Sequence, residues 1–144
     1  MITVEPYLVF NGRCEEAFNL YKSVFGGEFA GIMRFKDIPD KTIKIDDSDK
    51  EKIVHVALPI GNGILLMGSD SDKNHRVTEG NNIALTLNVE SESEAKRIYD
   101  ELSVGGVVSM PLQKTFWAEL YAMFEDKFGI NWMINYALKD EQYF

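Results

Sequence analysis

Few side chains in this sequence have real chemical reach: two histidines, His55 and His75, and one cysteine, Cys14. His55 lies in the alternating run Lys52–Leu58 and shares a face with Ile53 and Ala57. On such a face it could point into a cup of sheet and act as proton acceptor or as donor to a ligand oxygen. A half-buried histidine bonded to a neighbouring strand or loop fits the same pattern and is favoured. His75 falls in a polar stretch and reads as solvated. Cys14 opens a helical segment, where a thiol gains some thiolate character. With no partnering base in view, an ordinary small residue at a helix start is the favoured reading. Gln113, Thr115, Phe116 and Trp117 form the most suggestive segment, because an amide, an indole and an aromatic wall suit a small ligand. The acidic runs Asp46-Asp47-Ser48-Asp49 and Asp70-Ser71-Asp72 invite a calcium reading. A calcium loop begun at Asp70 would need Gly sixth and Glu twelfth, where the chain has His75 and Asn81. Both runs read as exposed loops.

The totals narrow the function classes. A chain of 144 residues builds one substantial core without disulfides or metals. A formal net charge of −8 disfavours nucleic acid and anionic membrane surfaces, both of which call for Lys and Arg. One cysteine excludes an intramolecular disulfide and fits a reducing compartment. No stretch approaches the apolar length of a membrane span, and Met1 leads directly into a strand-like run, so a cytoplasmic protein is expected.

The elements that must position these side chains occur in the same order twice. Thr3–Phe10 alternates as a strand and breaks at Asn11-Gly12. Ala17, Phe18, Leu20, Tyr21, Val24 and Phe25 then recur at helical spacing, and Gly26-Gly27 supplies a left-handed stop. Glu28–Phe35 reads as a strand, Asp37–Lys52 as a long exposed loop. Ile53–Ile60 and Ile64–Met67 follow as strands joined by Gly61-Asn62-Gly63, with Asn-Gly suited to a type I′ turn. Past a polar run, Ile83–Val89 begins the order again. Ser91 and Glu94 make a capping box for a helix carrying Ala95, Ile98, Tyr99 and Leu102 on its buried face, and Gly105-Gly106 stops it. Val107–Leu112, Ala118–Phe124 and Ile130–Tyr136 complete the second set. The spacing predicts an α+β fold of two βαβββ modules, residues 1–69 and 82–138, with a linker at 70–81. Ala17 and Tyr21 recur in register as Ala95 and Tyr99.

Three stretches carry a resemblance: PYLVFNGRCEEAFNLYKSVFGGE, KIVHVALPIGNGILLMGSD and GGVVSMPLQKTFWAELYAMFEDKFGINWMINY. Together they make the chain similar to PhnB-like proteins of the vicinal oxygen chelate (glyoxalase/bleomycin resistance/dioxygenase) superfamily, over nearly its whole length. The combination of MPLQKTFW with DKFGINWMI is the most specific part, and Ala122 departs from a Gly common in the family. The resemblance implies one 1–144 domain of two half-open, antiparallel or mixed β cups, and a homodimer. It also brings a label naming a demethylubiquinone methyltransferase. The sequence has no Gly-rich strand-to-helix turn for a nucleotide-like cofactor, so that label is set aside and no cofactor is expected.

Metal-dependent relatives hold a divalent ion with His and Glu from the first and last strands of each module. The resemblance aligns those Glu positions with Met67 and Met133, and the first-strand positions with Glu5 and Asn82. Thioethers ligate hard or borderline ions poorly, so no metal is expected. Tyr7, Met67, Met133 and Thr86 would instead line a mostly apolar cavity, with Trp132 packed beneath the helix. Filling of a closed core by the same residues is an equal alternative. The expectation is a protein that binds a small, partly apolar molecule, with Tyr7, His55, Met67, Thr86, Gln113, Trp117 and Met133 as contacts. The alternative is a lyase, isomerase or oxygenase-type enzyme using His55, Glu5 or Gln113 for acid–base work.

Overall fold

A computed structural model of the chain describes residues 1–139, so the end of the expected 1–144 domain lies outside the described residues. The chain divides into two compact units between Thr78 and Glu79. In the first, β1 (Tyr7–Phe10), α1 (Cys14–Phe25), β2 (Gly31–Arg34), β3 (Ile53–Ile60) and β4 (Ile64–Asp70) form one sheet in the order β1-β4-β3-β2 with one helix. In the second, β5 (Leu85–Val89), α2 (Glu92–Leu102), β6 (Val107–Gln113), β7 (Ala118–Glu125) and β8 (Asn131–Ala137) repeat the plan in the order β5-β8-β7-β6. The fold is α+β. Both sheets are mixed: β1 runs parallel to β4 and β5 to β8, and the remaining pairs are antiparallel.

Each helix begins and ends where its chemistry requires. Ser91 accepts from the Glu94 N–H at 3.1 Å, while the Glu94 carboxylate reaches back to the Glu90 N–H, one residue earlier than the usual capping-box partner. At the end of α1, Gly26 sits at φ 80 and its N–H returns to the Lys22 carbonyl, a conformation that costs a side-chain-bearing residue about 1 kcal/mol. The loop between β3 and β4 spans three residues, with positive φ at Gly61 and Gly63 rather than the expected two-residue Asn-Gly turn.

One face of each sheet packs its own helix. In the first unit Phe18 of α1 lies so near Gly68 that a Cβ there would come within 2.6 Å of its ring. In the second, Tyr99 of α2 meets Phe124 edge to face, with ring centroids 5.9 Å apart. Phe124, Trp132 and Leu85 share one cross-strand row, and Ala122, Ile134 and Leu87 the next. Trp132 therefore packs on the helix side, and its burial stabilises the unit by roughly 3 kcal/mol.

The acidic runs need correction. Asp70 is not in an exposed loop: it ends β4, is buried, and accepts from the N–H groups of Gly12, Cys14 and Ile53, each at 2.9 Å. Asp49 is also buried, bonded to Lys52 Nζ and to the Lys73 N–H within a short 3-10 turn at Asp47–Asp49. Backbone donors held out of water need acceptors, and a carboxylate supplies several at once. Strand bounds shift as well, β1 beginning at Tyr7 and β2 covering Gly31–Arg34 only. Replacing Asp70 by Ala orphans three N–H groups and should lower the unfolding free energy by about 4 kcal/mol. The urea midpoint should fall with unchanged slope, and an unmoved midpoint refutes the role given to Asp70.

Candidate functional site

The face of each sheet turned away from its helix carries the residues that sequence reasoning singled out, and strand register places them. In the first unit Tyr7, Met67, Ala57 and Gly31 form one row, and His55 pairs with Met33 on the same face. Tyr7, Val9 and Met33 are about two-fifths exposed, at 45%, 41% and 40%. The Tyr7 hydroxyl and His55 Nδ1 are 3.3 Å apart with their rings tilted at 30°. His55 is exposed, not half-buried, and the Tyr7 hydroxyl it meets is a side chain on this face.

In the second unit two rows cross the open face. Thr86, Met133, Met123 and Met110 make one, and Asn88, Asn135, Tyr121 and Gln113 the other. The Tyr121 hydroxyl donates to Met133 Sδ at 3.0 Å, and Thr86 Oγ1 approaches the same sulfur at 3.7 Å. Trp117 stands edge-on to Tyr121 with centroids 5.3 Å apart, and Phe116, 75% exposed, stands edge-on to Trp117. Gln113 turns its amide to its own neighbour's backbone, Nε2 donating to the Pro111 carbonyl at 3.1 Å. A depression of about 330 Å³ opens beside the first row, bounded by Met123, Met133, Ser109 and the strap Asn81–Ala84.

The expected contacts thus fall into two sets on two sheets: Tyr7, His55 and Met67 on the first, Thr86, Gln113, Trp117 and Met133 on the second. Glu5 belongs to neither. Its Oε2 accepts the Leu65 N–H at 3.0 Å, which ties the chain before β1 to the start of β4. Sequence reasoning passed over Tyr121, Met123, Asn88 and Asn135. Asn135 alternates with Met133 along β8, and that spacing was the signal available.

The donors that align with metal ligands do not fit a hard or borderline divalent ion. Met67 and Met133 present thioethers, and the Glu5 carboxylate holds a backbone N–H. Among the described residues no three His, Cys, Asp or Glu side chains gather in a way that could hold a metal ion. Cys14 is fully buried, and burial first, then the charges of Asp70 and Glu15, push its thiol above its ordinary pKa. Cys14 thus behaves as the ordinary small residue at a helix start that the sequence favours, without thiolate character.

With this geometry in place, likeness to known proteins can be weighed. Residues 3–135 match the family described as 3-demethylubiquinone-9 3-methyltransferase, the PhnB-like family. The chain belongs to that family. It is 39% identical to protein PA1353 from Pseudomonas aeruginosa, whose crystal structure matches with a TM-score of 0.86 over 95% of this chain and 98% of that one. A PhnB protein from Bacillus cereus, named as a putative 3-demethylubiquinone-9 3-methyltransferase, is 27% identical with a TM-score of 0.78, covering 94% and 100%. A glyoxylase/bleomycin resistance protein/dioxygenase domain from Frankia sp. EAN1pec, 12% identical, matches with a TM-score of 0.66 over 96% and 98% and shows the shared fold. The family description names methyl transfer, yet the strand-to-helix turn at Asn11–Arg13 is no cradle for a nucleotide-like cofactor. Its Gly12 and Cys14 N–H groups are already taken by Asp70.

The raised Cys14 pKa has a sign that can be checked. The unfolded thiol ionises in the ordinary range while the folded one keeps its proton. Its stabilising contribution is therefore full below that range and is lost as pH rises above it. Iodoacetamide at pH 8 should leave the folded protein unlabelled and alkylate Cys14 once urea unfolds it; rapid labelling of the native protein would contradict this burial.

Proposed function

We propose that the chain binds a small, partly apolar molecule on the open face of its second sheet. One observation carries this reading: among the described residues the row Thr86, Met133, Met123 and Met110 has no helix of its own unit over it, and it borders a depression of about 330 Å³. Methionines adapt to varied apolar shapes, and Trp117 and Tyr121 add aromatic edges beside them. Few polar groups are needed for such binding. Recognition without a metal then rests on shape and a small number of hydrogen bonds.

A second reading takes its support from the first sheet. Tyr7 and His55 stand in contact on an open face, where a ring nitrogen and a phenol can pass a proton to a bound molecule. A thermal-shift screen of small aromatic and aliphatic compounds separates the two. Binding on the second sheet predicts stabilising compounds whose effect is largely lost in Trp117→Ala and kept in His55→Ala, without turnover. If Trp117→Ala keeps the full response, the proposed face is wrong. Chemical conversion of a stabilising compound, abolished in His55→Ala, favours the enzyme.

The protein is further proposed to act in the cytoplasm as a homodimer, the assembly the family resemblance implies. No helix among the described residues is long and apolar enough to cross a membrane. Light scattering should give twice the mass of one chain, and the mass of a single chain would overturn the dimer.

A further inference from the structure

Buried polar groups in folded proteins find hydrogen-bond partners, and one that does not is a feature to be explained. Asn135 is such a group. It lies in the middle of β8, only 4% exposed, on the face that also carries Met133. Its Nδ2 donates to Asn88 Oδ1 at 3.1 Å. Its Oδ1 is wholly buried and has no partner among the described residues. An amide oxygen stranded in this way costs about 1–3 kcal/mol. An apolar side chain would avoid that cost, and the neighbouring row along the strand is filled by methionines.

One hydroxyl nearby is in a complementary condition. Tyr121 sits beside Asn135 across the β7–β8 pairing, and its O–H has settled on Met133 Sδ, a weak acceptor. Thr86 donates to the same sulfur. The face thus holds one buried acceptor lacking a donor and, beside it, one hydroxyl on a weak acceptor, with the Trp117 ring 5.3 Å from that of Tyr121. A group that donates and accepts through adjacent atoms satisfies both. A bare cation offers neither a donor to Asn135 nor an acceptor to Tyr121, and a carboxylate offers no donor to Asn135.

We propose that Asn135 is the polar anchor of the ligand site, and that the ligand class is a neutral amide-bearing molecule with an attached apolar or aromatic body. Its N–H donates to Asn135 Oδ1 and its carbonyl accepts from the Tyr121 hydroxyl, which turns away from Met133. Because Oδ1 has no exposed surface, the ligand reaches it by displacing a neighbouring side chain rather than by filling a ready void. This inference rests on the second-sheet reading above and adds a polarity to it.

Benzamide and N,N-dimethylbenzamide test it, since the second keeps the ring and carbonyl and lacks the N–H. Binding is followed by titration and by the side-chain amide resonances of Asn135. Benzamide should shift those resonances and bind about tenfold more tightly than the dimethyl compound. Asn135→Leu, which keeps the volume and removes the acceptor, should erase that preference, and Tyr121→Phe should weaken both probes together. Equal binding of the two probes, lost in Trp117→Ala, leaves the site standing and overturns the anchor. No binding of benzamide to the native protein overturns the anchor as well, and a screen that also finds no other stabilising compound then sinks the site with it.

Discussion

A four-stranded sheet has two faces, and among the described residues each unit of this protein has one α-helix. That mismatch governs most of what the structure does. Phe18, Phe10, Leu66 and Val56 gather on the helix side of the first sheet, and Trp132, Ile134, Ala122 and Phe124 on the helix side of the second. The strict alternation of a strand then delivers the intervening residues to the other side, whatever their chemistry. Thr86, Asn88, Met133 and Asn135 stand on the open face because Leu85, Leu87, Trp132 and Ile134 are needed on the closed one. Candidate binding residues are thus the counterpart of core residues, one position along.

The corners of the units are closed by carboxylates. Asp70 gathers the N–H groups before α1 and at the start of β3, so that the end of β4, the helix start and a neighbouring strand share one acceptor. Asp126 has the parallel task in the second unit. Its Oδ1 accepts from Phe128 and Ile130, and its Oδ2 from the Trp132 indole N–H at 2.8 Å. The Trp132 side chain is thereby held by a charge-assisted bond as well as by packing, which fixes the register of β8 and with it the facing of Met133 and Asn135. Structural carboxylates of this kind look catalytic in a list of residues and are bound to backbone in fact.

Much of this was legible beforehand, for identifiable reasons. The repeated order, the Gly26 stop and the Ser91 cap depend on local chemistry, and local chemistry is written in neighbouring residues. The facing of Trp132 against Met133 followed from period-two alternation together with the family resemblance. Asp70 and Asp49 were misread because their partners, Gly12, Ile53 and Lys73, are distant in sequence and the runs around them are polar. The bond of Glu5 to the N–H of Leu65 was hidden for the same reason. Alternation along β8 puts Asn135 on the face of Met133, yet the lack of a partner for its oxygen is a three-dimensional fact that no spacing reports.

The parallel pairing of the first and last strands of each unit bears on how the chain acquires its structure. Tyr7 pairs with Met67 and Thr86 with Met133, and in each sheet the last strand occupies an interior place between the first strand and the third. A growing chain therefore cannot seat β1 until β4 has been synthesised, and β5 waits likewise for β8. Until that moment the apolar side of α1 has an incomplete surface to rest on, and the open edge of β3 is bare. Each unit closes in one late step of high loop-closure cost, so its folding is expected to be slow for its size and all-or-none in character. A ribosome pausing short of β8 would present one finished unit and one that has every strand except the one that joins them.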